Sequence, residues 1–208
     1  MPYCFCEMNI NGRGVLMVSP DIALVNMGVI TENKNLKAAQ DENSTVVSNV
    51  IKELIKQGIP SKDIQTIDYN IEEQYDNIEG KQIFRSYRIR NTFRITVRDI
   101  KRVGEIIDSA VAKGANLASG VSFQVANPDK YYNTALEKAL EQAVYKAQVI
   151  KNASRILLNT TPIRITEEST NYLPVYDSMS LKSAATPINP GEIQISASIR
   201  AVFQYTQY

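Results

Sequence analysis

The stretch DKYYNTALEKALEQAVYKAQVIKNASRIL, Asp129 to Leu157, decides the fold class. Ala135, Leu136, Ala139, Leu140, Ala143, Val144, Ala147, Ile150 and Ala153 recur at the three-and-four spacing of one helical face, while Glu137, Lys138, Glu141, Lys146 and Lys151 fall largely off it. Asn127 suits the N-cap, Pro128 the first helical position, where its missing N–H is an orphan anyway, and Asp129 the positive end of the helix dipole. A helix of that length spans about 40 Å, against roughly 17–20 Å for an ordinary strand. One sheet is therefore expected to leave part of the stripe bare, and a neighbouring subunit is expected to cover the overhang.

Downstream, Pro162 to Glu168 reads as a strand, and the segment NYLPVYDSMSLKSAATPINPG, residues 171–191, has three prolines and no periodicity. A loop that long inside a compact domain usually has a task, so Tyr172, Leu173, Pro174, Val175 and Tyr176 are candidate oligomer contacts. Glu192 to Tyr205 alternates Ile193, Ile195, Ala197, Ile199 and Ala201 against polar residues, which predicts a long strand ending the sheet and offering it an edge.

Upstream, Asn11 to Val18 reads as a strand holding Gly12-Arg13-Gly14, which lacks the third glycine of a phosphate loop and instead suggests a bulge or a close backbone approach. Ile22 to Thr31 is apolar on both faces and belongs in the middle of a sheet. A helix over 36–57, a strand over 64–75 and a strand over 82–97 follow, then a short helix over 100–113 and a strand over 117–126. Strand-helix-strand-strand thus occurs twice. The prediction is an α+β fold in which two β-α-β-β halves share one sheet with long helices packed against it, a single domain over 9–208 behind a flexible tail, 1–8.

The strand over 82–97 carries Tyr87, Ile89, Phe93, Ile95 and Val97 on one face and Arg88, Arg90, Thr92, Arg94 and Thr96 on the other, followed by Arg98. Arg88, Arg90 and Arg94 are candidate partner-binding residues. No aromatic on their face offers a stacking platform for nucleic acid, and Asp68, Glu72 and Glu73 on the preceding strand are placed to pair with them, so a solvated, charge-paired face is the favoured reading.

In 208 residues, 23 basic and 22 acidic side chains nearly cancel, which removes any global pull toward nucleic acid or anionic membranes. The opening MPYCFCEMNINGRG has neither a basic n-region nor an apolar run, and no window reaches the roughly 20 apolar residues of a membrane span. The chain as written is therefore placed in the cytoplasm, or in the envelope if an N-terminal leader has been cut away. Cys4 and Cys6 are too few for a zinc site within one chain and too close to bridge each other, so both read as free thiols, with a bridge or metal shared between subunits as the lesser alternative. There is no histidine, which removes Ser-His-Asp triads, Cys-His dyads and HExxH metal sites. The adjacent carboxylates Glu72-Glu73 and Glu167-Glu168 point to opposite faces of their strands and do not converge within either pair. No catalytic residue, cofactor or metal is predicted.

Gly12-x-Gly14, Pro20-Asp21-Ile22-Ala23, Gly28-Val29, Gly58-Ile59-Pro60, Asp63-Ile64-Gln65-Thr66, Tyr87-Arg88-Ile89, Val103-Gly104-x-Ile106-Ile107-Asp108-x-Ala110, Gly114-Ala115-Asn116 and Ala135-x-x-x-Ala139 on to Ala147 resemble, in order and spacing, the SIMPL domain family over about Asn9 to Tyr205. The resemblance implies an α+β fold, no agreed catalytic residues, and for some bacterial relatives a ring-shaped or channel-like oligomer, an envelope location and a link to oxidative-stress tolerance. The expected function is a non-enzymatic, self-associating protein whose chief partner is itself. The alternative is a binding module for a small ligand or partner protein, through the arginine face or the 171–191 loop.

Overall fold

The computed structural model describes residues 6–168 and 190–206. They form two compact units, one from residues 6–19, 125–168 and 191–206, the other from residues 20–124. The α+β class is as expected. The single shared sheet is not: the strands form two antiparallel sheets, one in each unit.

The first unit holds β1 (Cys6–Val18), α3 (Pro128–Ser154), β6 (Leu157–Leu158), β7 (Arg164–Glu167) and β8 (Ile193–Thr206). β1 pairs with β8 along its whole length, from Cys6 opposite Tyr205 to Val18 opposite Ile193, and β6 and β7 pair with the other side of β8. The last long strand is therefore central rather than an edge. It alternates inward Ile193, Ile195, Ala197, Ile199 and Ala201, all buried, against outward polar residues.

α3 starts as its sequence dictates: the Asn127 side chain accepts from the Lys130 N–H and Pro128 occupies the first turn. It ends at Ser154, where Arg155 takes the left-handed conformation at φ 54°. Its fully buried line is Ala135, Ala139, Ala143 and Ala147, with Leu136, Leu140 and Val144 half-buried beside it. Small residues at every fourth position let the helix axis come close to β1, and Gly12 and Gly14 complete the fit. A Cβ added at Gly12 would lie 2.0 Å from the Ala139 carbonyl oxygen, and one at Gly14 1.8 Å from that of Ala135. Gly12-x-Gly14 is thus a close backbone approach.

The expected overhang of this helix shrinks to its last turns, where Ile150 and Ala153 stay exposed, because the premise of an ordinary strand fails. β1 and β8 run 13 and 14 residues, or about 45 Å at some 3.3 Å per residue, and match the roughly 40 Å of a 27-residue helix. The buried stripe is covered within its own unit.

The second unit holds β2 (Ile22–Asn33), α1 (Leu36–Lys56), β3 (Ile64–Ile78), β4 (Lys81–Val97), α2 (Val103–Ala112) and β5 (Leu117–Gln124), with sheet order β3-β4-β2-β5. β2 is central, as its two apolar faces require. One face, with Ala23, Val25, Met27 and Val29 from β2 and Phe93, Ile95 and Val97 from β4, meets Val47, Val50 and Leu54 of α1 and Val103, Ile106 and Ala110 of α2 in the core. Asn35 caps α1 by accepting from the Ala38 N–H, and Gly58, at φ 90°, ends it.

The second half gives up its first strand: β5 joins the first half's sheet beside β2, and β1, which precedes both halves, pairs with β8 in the second half's sheet. A physical reason for two sheets lies at the β1 edge. The Arg13 N–H donates to Gln142 Oε1 at 2.9 Å and Lys146 Nζ donates to the Asn11 carbonyl at 2.8 Å, so side chains of α3 occupy ladder groups that another strand would need there. The loop candidates Tyr172, Leu173, Pro174, Val175 and Tyr176 lie outside the described residues, as does Cys4. Cys6 is a half-buried free thiol in β1.

Candidate functional site

The arginine strand is β4, and register settles its partners. Glu32 on β2 stands opposite Arg88, whose Nε donates to Glu32 Oε1 at 2.6 Å. Arg85 approaches Glu32 Oε2 at 3.5 Å and Asp76 Oδ1 at 3.3 Å, and Ser86 Oγ also reaches Glu32 at 3.3 Å. The Arg88 hydrogen bond, with the positive charges of Arg88 and Arg85 beside it, holds the Glu32 carboxyl below its ordinary 4.5 against an opposing cost of desolvation. Arg94 Nε donates to Asn26 Oδ1 at 3.1 Å, and Arg98 makes a two-pronged contact to the buried Asp63 at 3.0 and 3.1 Å. Arg90, between Asn70 and Ile30 in the ladder, forms no hydrogen bond or ion pair among the described residues. Of the three candidate arginines only Arg88 is charge-paired, and not by the acids predicted: Glu72 accepts from Asn70 and Gln74, Glu73 accepts from the Tyr75 hydroxyl, and Asp68, Glu72 and Glu73 form no ion pair among the described residues.

Sequence reading places a hairpin loop over 76–80 ahead of the arginine strand; what it missed is how far the two strands run. β3 and β4 continue past the expected loop to a two-residue turn at Glu79 and Gly80, both at positive φ, 51° and 80°. Among the described residues little covers the far half of this hairpin. Tyr69, Ile71, Tyr75, Ile78, Ile83 and Phe84 are each 39–53% exposed. Three of its rings form a cluster, with Phe84 edge-on to Tyr75 at 5.9 Å between centroids and tilted to Tyr87 at 5.0 Å. The signal was present, since Ile64 to Ile78 is too rich in Ile and Tyr for a strand facing water on both sides, but period-two counting registers only alternation.

The first unit presents a second surface. Asn9, Ile10 and Asn11 of β1 with Tyr145, Lys146, Val149 and Ile150 of α3 and Arg200 of β8 line an open groove of about 840 Å³. Glu7, Met8, Ile150, Ser154, Arg155, Ile156 and Tyr205 line another of about 640 Å³. Arg200 is held by Glu168 at 2.5 Å.

Among the described residues no group of three His, Cys, Asp or Glu side chains is placed to hold a metal ion, and no helix is long and apolar enough to cross a membrane. Glu72-Glu73 and Glu167-Glu168 sit in different sheets, and the second pair is engaged by Tyr132 and Arg200. A family model described as SIMPL, protein of unknown function (DUF541), matches residues 8–203. The chain belongs to the SIMPL family. The 26 kDa periplasmic immunogenic protein of Brucella melitensis is 26% identical over 208 residues, covering 94% of this chain and 83% of that protein. The uncharacterized protein YggE of Escherichia coli is 28% identical over 200 residues, covering 93% and 81%, and YggE of Edwardsiella ictaluri is 24% identical over 149 residues, covering 71% and 62%. The periplasmic name of the Brucella SIMPL protein overturns the cytoplasmic placement drawn from the first residues. Signal peptides are removed from mature proteins, so a sequence without one carries no information on compartment.

Proposed function

We propose that this SIMPL protein is a non-enzymatic, periplasmic, self-associating protein, and that the β3–β4 hairpin is the surface through which it associates. The observation that carries this reading is the exposed apolar flank of the hairpin. Tyr69, Ile71, Tyr75 and Phe84 share one face of the hairpin and are 39–50% exposed, a run of large half-exposed side chains of the kind that marks an interaction surface. The outer edge of β3 adds 15 residues of strand backbone that has no partner strand among the described residues, a template for pairing with another chain. A sequence without histidine supports the non-enzymatic part, and the name of the Brucella relative supports the compartment. The alternative of a binding module on the arginine face is weakened because Arg88 and Arg94 are engaged internally, leaving Arg90.

The test is sedimentation velocity on Tyr75→Glu combined with Phe84→Glu, two exposed positions whose change leaves the core untouched. The wild type is expected to sediment as a multiple of 23.3 kDa and the double variant at 23.3 kDa with its circular dichroism unchanged. An associated double variant would remove the hairpin from the account.

A further inference from the structure

We infer that the open stretch of the β1 edge, beside the grooves against α3, receives the acidic edge strand β3 of a second copy of this chain. This rests on the self-association reading above and supplies the surface that the hairpin would meet. Three observations converge on it.

The first is the edge itself. In an antiparallel ladder, alternate residues turn their N–H and C=O away from the partner strand. The contacts of Arg13 N–H with Gln142 and of the Asn11 carbonyl with Lys146 show that odd-numbered residues of β1 turn theirs away from β8. Asn9 and Glu7 follow in the same phase, and no side chain of α3 caps their backbone among the described residues. The blocked stretch thus ends where the open stretch begins.

The second is the spacing of the grooves. One includes Ile10 and the other Met8, two residues apart on the same face of β1, with Ile150 shared between them. A strand added at this edge advances about 6.6 Å per two residues, so successive same-face side chains would enter successive grooves. β3 presents Tyr69 and Ile71 at that spacing on one face, 50% and 39% exposed.

The third is charge. From Gln142 to Arg155, the part of α3 beside this edge, Lys146, Lys151 and Arg155 are basic and no residue is acidic, while the open stretch of β1 itself carries one acid, Glu7. From Ile64 to Ile78 there are four acidic residues and no basic one, and Asp68, Glu72 and Glu73 form no ion pair among the described residues. Such complementarity orients two surfaces and keeps like surfaces apart, which disfavours two hairpins meeting each other. The contact is heterologous, a β1 edge on one copy with a β3 edge on the next, and so leaves one surface of each kind free in every pair.

That asymmetry gives the experiment. Asn9→Pro removes an outward N–H at a position where an edge strand tolerates proline. Val149→Asp with Ile150→Asp alters the groove at two exposed side chains without touching β1. Native mass spectrometry is run on each groove variant, on the hairpin variant Tyr69→Glu/Ile71→Glu, which alters the two side chains that would enter the grooves, and on a one-to-one mixture of a groove variant with the hairpin variant. The expected result is 23.3 kDa for every variant alone, and in the mixture a species of about twice that mass with nothing larger, because the mixed pair retains one intact contact. Groove variants that keep the wild-type mass, or a mixture that forms no pair, would overturn the inference while leaving hairpin-mediated association standing. A wild type at 23.3 kDa would remove both.

Discussion

Arg88 and Glu32 set the charge pattern of the β4 face, and their pairing has a pH signature. Glu32 titrates below 4.5 in the folded chain, chiefly through the Arg88 hydrogen bond. A carboxyl whose folded pKa lies below its unfolded value contributes stability above the unfolded value and loses it as pH falls through the folded one. Arg88→Ala should therefore lower stability at neutral pH by roughly 0.2–1 kcal/mol, the range of a partly exposed pair, and the gap to wild type should close as pH falls below 4.5. Urea titrations at neutral and acid pH measure the gap, and a gap independent of pH would mean that Arg88 acts through packing alone. The period of two fixed which face each arginine occupies. It could not fix which acid each one meets, because Glu32 stands opposite Arg88 only through the β2–β4 register, a pairing set by residues 56 positions apart.

Among elements, the fit of α3 on β1 is the tightest and the most readable. Gly12, Gly14 and the alanines of α3 mark a close approach in the sequence, and the caps Asn127 and Pro128 mark its start. Gly14→Ala would drive a methyl to 1.8 Å from the Ala135 carbonyl, which no rotamer change can relieve. The helix must shift from the sheet, and the expected loss is about 3 kcal/mol or more, read as a lower urea midpoint with unchanged slope. A loss under about 0.5 kcal/mol would show that α3 moves freely on β1. The division into two sheets was less readable, since β1 finds its partner β8 at the other end of the chain and local periodicity says nothing about such pairings. The start of β1 was legible and passed over: Met8 and Ile10 alternate inward against Glu7, Asn9 and Asn11, within and beside the stretch 1–8 that was read as tail.

For the whole molecule, the long helix first suggested self-association, and the proposal now rests on another surface. The stripe of α3 is covered in its own unit from Ala135 to Ala147, whereas the hairpin leaves Tyr69, Ile71, Tyr75 and Phe84 half-exposed and, among the described residues, the outer edge of β3 has no strand partner. Solution mass of the wild-type chain across a wide concentration range, by light scattering, tests this most directly. Assembly through the hairpin predicts a particle at a fixed multiple of 23.3 kDa that dissociates toward 23.3 kDa only on dilution or in high salt, where acidic and basic surfaces are screened. A particle that stays at 23.3 kDa at every concentration would contradict it.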